Sequence, residues 1–257
     1  SYGATGANSV AMGLNNKTTG TRSVAIGGAA SQATGSSSVI LGGFSSIASG
    51  SGSVTLGGAS LVSSGNYAVS AGQLCTASGY AAVSMGRSNT AAGNYSTVFG
   101  YQASTSVYGH NALASGQFSA AGDAQAGTLI LRSDTTDATA EALTTNNSTA
   151  GTTNQVILPN NSAYSFSGTI IAREQASAGS DYASWEIKGA LLRDANAAST
   201  VLGNGIQNKL YATSGASAWD IALTADTTNG GLKIEVTGAA ATNIRWVATV
   251  NTSEVTY

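Results

Sequence analysis

The chain has 257 residues, among them 33 glycines, one proline, one cysteine and one histidine; 9% of it is charged and 42% apolar. Such low charge without low hydrophobicity is not the composition of a disordered chain. A net charge of −2 offers no footprint for a phosphate backbone, one cysteine forbids an internal disulfide, and no 18-residue apolar run is present to span a membrane. Neither nucleic acid, membrane insertion nor a cofactor is therefore expected.

Charge divides the chain. Lys17, Arg22, Arg87 and Asp123 are the only charged side chains of residues 1–125, and all the others lie in 126–257. This predicts two domains with those bounds.

From the N-terminus, one sextet keeps returning: "NSVAMG" at 8–13, "RSVAIG" at 22–27, "SSVILG" at 37–42, "GSVTLG" at 52–57. Its closing glycines are Gly13, Gly27, Gly42, Gly57, Gly72, Gly86 and Gly100, and each 15-residue spacing contains a doubled glycine. A second set, Gly20, Gly35, Gly50, Gly65, Gly79 and Gly93, marks the half-period. A turn about every seven residues is too short for a helix but fits a short strand and a bend, so stacked repeats predict a parallel solenoid. The large apolar residues before each marker share a strand face: Val10 and Met12, Val24 and Ile26, Val39 and Leu41, Val54 and Leu56, then Val69, Val83, Met85 and Phe99. They are expected to form the core of the coil, with small residues such as Ala11, Ala25 and Ser70 on its outer face. So thin a core predicts that coils pack against copies from other chains. From about residue 100 the glycine spacing breaks, and an irregular cap or neck is expected there.

The register of "NSVAMG…TTG…SVAIGG…ATG" over residues 1–122 resembles the head repeat of trimeric autotransporter adhesins, of the YadA head type. That resemblance implies a left-handed parallel β-roll of 14–15-residue repeats assembled as a homotrimer. Similar repeats occur in bacteriophage tail fibres ahead of a distal domain, and residues 155–257 look like a domain common in phage structural proteins. The repeat is already under way at the first residues, so a preceding segment that contacts other tail proteins is expected.

Further along, "TLILRS" (128–133), "NQVILP" (154–159), "SAYSFSGTIIARE", "YASWEIKGALLR", "STVLGNGIQNKLYAT", "AWDIALTA", "GLKIEVTG" and "NIRWVATV" read as strands, with 134–153 an exposed polar loop and "DTTNGG" (226–231) a hairpin turn. Strands without helices predict an antiparallel sandwich or jelly roll. Alternation puts Trp185, Trp219 and Trp246 in its core.

Chemistry is sparse. His110, the one histidine, cannot serve a triad without two further partners; three copies around a trimer axis would make it a weak metal candidate. One acid in the first 125 residues excludes a calcium-binding solenoid. Glu174, Asp181, Glu186 and Asp194 could pair for glycoside cleavage, but acids alternating with bases read as a solvated strand face, so no enzyme is expected. Cys75 reads as a buried small hydrophobe. What remains is adhesion. The loop residues Asn146, Asn147, Asp194, Asn196, Thr227, Thr228 and Asn229 are the candidate ligand-binding positions, since binding groups concentrate on loops held by a rigid scaffold. The expected function is that of a phage tail fibre in the virion, binding a bacterial cell-surface glycan non-covalently and multivalently. A bacterial trimeric adhesin head on the cell surface, a polysaccharide depolymerase and a structural spacer are the alternatives.

Overall fold

The structure is a computed structural model that describes residues 2–175 and 181–257. It forms two compact units, Ser1–Gln125 and Ala126–Tyr257. Both are all-β.

The first unit is a solenoid of eight coils. Each contributes one long strand, from Val10–Leu14 through Val24–Ala29 and onward to Asn111–Ser115, and one two-residue strand, from Gly3–Ala4 to Ser104–Thr105. Successive strands pair in parallel and in sequence order in both sheets. The repeated letters stack on one another: Val69 on Val83, Ser70 on Ser84, Gly72 on Gly86. Doubled glycines mark bulges. The register slips between Ala71/Gln73 and Leu56/Ala59, and again between Met12/Leu14 and Ile26/Ala29, so the fifteenth residue is absorbed without shifting the faces.

The half-period glycines permit the stacking. A Cβ on Gly20, Gly35, Gly50 or Gly65 would stand 2.0–2.1 Å from a carbonyl oxygen of the next coil, where no side chain fits. Behind several bends a serine closes the turn, while Ala68 and Ala82 stand at the equivalent place after Gly65 and Gly79. Ser23, Ser38 and Ser96 donate to the carbonyls of Gly20, Gly35 and Gly93 at 2.7–2.8 Å.

The structure inverts the expected core. Val10, Met12, Ile26, Leu41, Leu56 and Phe99 are exposed, Met12 to 58%, and Val24, Val39, Val54, Val69, Val83 and Met85 are only half-buried. The interior instead takes the intervening residues: Ala25, Ile40, Thr55, Ser70, Ser84 and Val98, all at 0–1% exposure. Bends that bring backbone against backbone leave a cross-section too narrow for two rows of large side chains. Buried asparagines fill two coils. Asn89 donates to the carbonyls of Met85 and Gly100 at 2.7 and 2.8 Å and accepts from the Ala103 amide, and Asn16 repeats the pattern. The large apolar residues thus form two ladders on the outside of the chain.

The expected irregularity from about residue 100 is also corrected. Thr97–Tyr101 pairs in register with Asn111–Ser115, and Ala114 takes the marker place of Gly100. The coil keeps its period and only the glycine is lost. Beyond it, the side chain of Gln125 closes the short-strand sheet, accepting from the Ser104 amide and donating to the Ser104 carbonyl, both at 2.9 Å. Asp123 receives the amides of Phe118, Ser119 and Ala120 at 2.6–2.9 Å. Burial pushes its carboxyl up, but these donors prevail and hold it below the ordinary value.

The second unit is a pair of antiparallel sheets. One runs in the order Ala124–Thr135, Ile244–Thr256, Ser162–Glu174, Tyr182–Arg193, Val201–Ala212. In the other, Gly231–Thr237 pairs with Asp220–Asp226 on one side and with Glu141–Ala142 and Val156–Ile157 on the other. The stretch read as an exposed loop, 134–153, therefore supplies one short strand. Trp185 and Trp246 from the first sheet meet Trp219 from the start of the second, with ring centroids 5.5 and 6.0 Å apart around Trp246. All three are buried, and the Trp246 indole donates to Thr135 Oγ1 at 2.9 Å. The opposite face of the first sheet leaves Ile130, Ile171, Leu192, Val247 and Val255 exposed, and the edge strand Val201–Ala212 is exposed on both faces.

Two glycine substitutions separate the two reasons for glycine. Gly50→Ala is expected to cost about 3 kcal/mol or more, because its Cβ collides with the backbone of the next coil. Gly57→Ala, with φ +64° but open space around it, is expected to cost about 1–2 kcal/mol of left-handed strain. Urea midpoints measure the difference, and equal midpoints would contradict the close-stacking account.

Candidate functional site

The predicted loop residues fall into three turns joined by hydrogen bonds. In the first, Asn146 Oδ1 accepts from Ser148 Oγ at 2.7 Å and from Asn154 Nδ2 at 2.9 Å. The neighbour of Asn154, Gln155, donates to Asp226 Oδ2 at 2.9 Å, which leads to the second turn. There Asp226 Oδ1 takes the amides of Thr228 and Asn229 at 3.0 and 2.9 Å, and Asn229 Nδ2 donates to Oδ2 at 2.8 Å; Thr227 is exposed at the tip. Arg193 then joins this hairpin to the third turn, donating from Nη1 to the carbonyls of Leu158 and Gly230. In that third turn the Asp194 carbonyl accepts from the Asn161 amide at 2.9 Å, and Asn196 caps a single 3-10 turn, Ala197–Ser199.

These groups are brought together, but most of their polar atoms hold the turns themselves. Asp226 shows how firmly. Burial pushes its carboxyl up, yet the donors from Gln155, Asn229 and Thr228 outweigh burial and hold it below the ordinary carboxylate value.

A cleft beside the first turn opens to solvent. Ser133, Asp134, Glu141, Ala142, Thr144, Asn147, Ser148, Thr149 and Ala150 line a space of about 480 Å³. Of the predicted residues only Asn147 reaches it, from a left-handed backbone at φ 56°. Its two carboxylates are engaged: Glu141 Oε2 accepts from Ser133 Oγ at 2.8 Å, and Asp134 Oδ1 accepts from Gln175 Nε2 at 3.0 Å and pairs with Arg245 Nε at 3.3 Å. Hydroxyls, an amide and small side chains dominate the wall, which suits a hydroxyl-rich ligand. The sequence gives no sign of this wall: Ser133 ends a segment that reads as a strand, and Asp134 and Glu141 lie in 134–153, which carries no periodicity.

The acids weighed for glycoside cleavage lie elsewhere. Asp181 accepts from Thr213 Oγ1 at 2.6 Å, and Glu186 forms an exposed pair with Lys188 at 3.8 Å. His110, the weak metal candidate, is turned into its own coil, 4% exposed, with Nδ1 2.7 Å from Thr105 Oγ1. Among the described residues no group of three or more His, Cys, Asp or Glu could hold a metal ion. Cys75 is buried.

The YadA head domain repeat matches the chain in two copies, at residues 4–30 and 77–103. Two solved structures are similar to the chain. The tailspike protein gp49 of Acinetobacter baumannii bacteriophage Fri1, a capsular polysaccharide depolymerase, shares 11% identity over 92% of this chain and 48% of its own, with a TM-score of 0.32. The tailspike protein of Acinetobacter baumannii phage AM24 shares 9% identity over 96% of this chain and 54% of its own, with a TM-score of 0.25. The chain thus spans about half the length of either tailspike, and TM-scores this low describe no common whole-chain arrangement. No curated protein matches. One of these neighbours is an enzyme, and this corrects the sequence expectation of a chain without enzymatic activity.

Asp226→Asn is expected to lower stability at neutral pH by about 2 kcal/mol, by weakening bonds to a charged acceptor. The folded-state carboxyl lies below its unfolded value, so its contribution is complete above the ordinary carboxylate range and disappears as pH falls through the folded value. The stability gap between wild type and variant, read by urea denaturation, should close in acid. A gap that persists there would refute the assignment.

Proposed function

We propose that this chain is an adhesive segment of a phage tail fibre or tailspike, a homotrimer in the virion that binds a polysaccharide of the bacterial surface multivalently. The observation that carries the reading is the pair of apolar ladders on the outside of a YadA-head-type solenoid. Val10 stacks on Val24, Val39, Val54, Val69 and Val83, and Met12 on Ile26, Leu41 and Leu56, all facing away from the coil interior. Contiguous exposed apolar surface on this scale marks an interface. Further copies of the chain supply the matching cover, because every copy carries the same ladder at the same rise of about 4.8 Å per coil.

The cleft beside Asn147 supplies one hydroxyl-matching site per chain, hence three in a trimer. Linked sites raise avidity by about 10² to 10⁴ without any strong single contact. Other tail proteins are the structural partners in this reading.

The test uses fluorescently labelled protein on a panel of encapsulated strains and their isogenic acapsular mutants. Capsule-dependent binding is expected, and equal binding to both would sink the polysaccharide reading. Leu41→Glu with Leu56→Glu, which charges the outer ladder and spares the coil interior, is expected to yield folded monomers that bind about 10²-fold more weakly. Reducing ends released in the same mixtures would show cleavage, and their loss in Asp134→Asn and Glu141→Gln would assign it to the cleft carboxylates.

A further inference from the structure

Four tyrosines on consecutive coils form a further, aromatic ladder along one bend of the solenoid. Ring centroids are 5.5 Å apart from Tyr67 to Tyr80, 5.4 Å from Tyr80 to Tyr95 and 5.1 Å from Tyr95 to Tyr108, with planes inclined by 73°, 59° and 54°. The rings are not buried by this contact: Tyr67 is 58%, Tyr80 41% and Tyr95 49% exposed.

The way the sequence builds the ladder is specific. The bend dipeptides are Asn66-Tyr67, Tyr80-Ala81, Asn94-Tyr95 and Tyr108-Gly109, so the ring comes alternately from the second and the first position. The second position is left-handed in each, from φ 50° at Ala81 to 64° at Gly109. Where tyrosine takes that place, asparagine precedes it and ties the coils together. Asn66 Oδ1 accepts from the Ser51 amide at 3.0 Å, and Asn94 Oδ1 from the Tyr80 amide at 2.9 Å.

Folding does not call for these rings. The earlier coils make the same bend with Thr21-Arg22, Ser36-Ser37 and Ser51-Gly52, again left-handed at the second position. A tilted ring pair contributes about 1 kcal/mol, which buried residues would supply without exposing aromatic surface. The surroundings are also uncharged. Across residues 58–110 Arg87 is the only fixed charge, and its guanidinium lies over Tyr101, 5.2 Å from the ring centroid.

We propose that the tyrosine ladder is a binding track for a linear, uncharged polysaccharide lying along the solenoid axis. Half-exposed rings present apolar faces to the C–H faces of successive sugars, while the phenolic hydroxyls donate to and accept from sugar hydroxyls. The track is one ring wide and four coils long, which fits a chain rather than a single sugar. The lack of cations disfavours phosphate-bearing or acidic polymers. This inference rests on the adhesive reading above and gives it a location separate from the cleft near Asn147.

The test is binding of the full chain to an array of purified neutral and acidic bacterial capsular polysaccharides and O-antigens. It compares wild type with Tyr80→Ser/Tyr95→Ser, since serine occupies the equivalent bend positions at Ser36 and Ser37. The double variant is expected to bind neutral polysaccharides about ten-fold or more weakly at unchanged circular dichroism. In parallel, nitration by tetranitromethane mapped by mass spectrometry on the wild type should show Tyr67, Tyr80 and Tyr95 shielded by a bound neutral polysaccharide. Tyr2 and Tyr257, 69% and 95% exposed, should remain reactive. Unchanged affinity in the variant, or no shielding in the wild type, overturns the track and leaves the adhesive reading standing. Binding to acidic polysaccharides alone overturns the ligand class. A wild type that binds no polysaccharide overturns both.

Discussion

The contact on which the solenoid depends is the approach of one glycine bend to the carbonyl of the next. A Cβ at Gly50 would lie 2.0 Å from the Gly65 oxygen, so consecutive coils meet backbone to backbone. Bends this tight make a coil too thin to hold a row of valines beside a row of leucines. Alanine, serine and an occasional isoleucine or valine fill the interior, and the larger apolar side chains are forced to the other face of the same strands. That exchange moves much of the solenoid's own apolar surface from the coil interior to its outer face, where another copy can meet it.

Much of this is legible in the letters, and the failures are instructive. Glycine spacing and the doubled glycines give the coil length and the bulges directly. The strand period of two identifies which residues share a face: Val10 with Met12, Ala25 with Ser23. It does not say which face is inside, because both are uncharged and side-chain size alone does not mark the core. Steric closeness at the half-period glycines decides the matter, and that is a distance between coils, invisible in any one repeat. Ala114 escaped as a marker because the pattern was followed through glycine rather than through register. Gln125 escaped because a side-chain amide standing in for a strand has no sequence signature.

In the second unit alternation identifies the tryptophans, whereas the candidate binding residues rest on residue type and loop position. Asn, Asp and Thr at turns satisfy turn geometry first. Asn146, Asn196 and Asn229 are engaged in that way, whereas Asn147 lines an open cleft. Beside it stand Ser133, Asp134 and Glu141, brought in from a strand and from a segment that reads as featureless loop. The tyrosine ladder lies between these extremes. Its residues are plain in the sequence, but their alternation between the two bend positions becomes a continuous row only once the coils are stacked.

The central claim is that the outward apolar ladders are covered by other copies of this chain. Light scattering on the purified protein, in native buffer and over a dilution series, tests it most directly. Three times the chain mass, persisting on dilution and without binding of a hydrophobic dye, is the predicted result. A stable monomer with no dye binding would contradict it, since the exposed rows from Val10 to Phe99 would then need no partner.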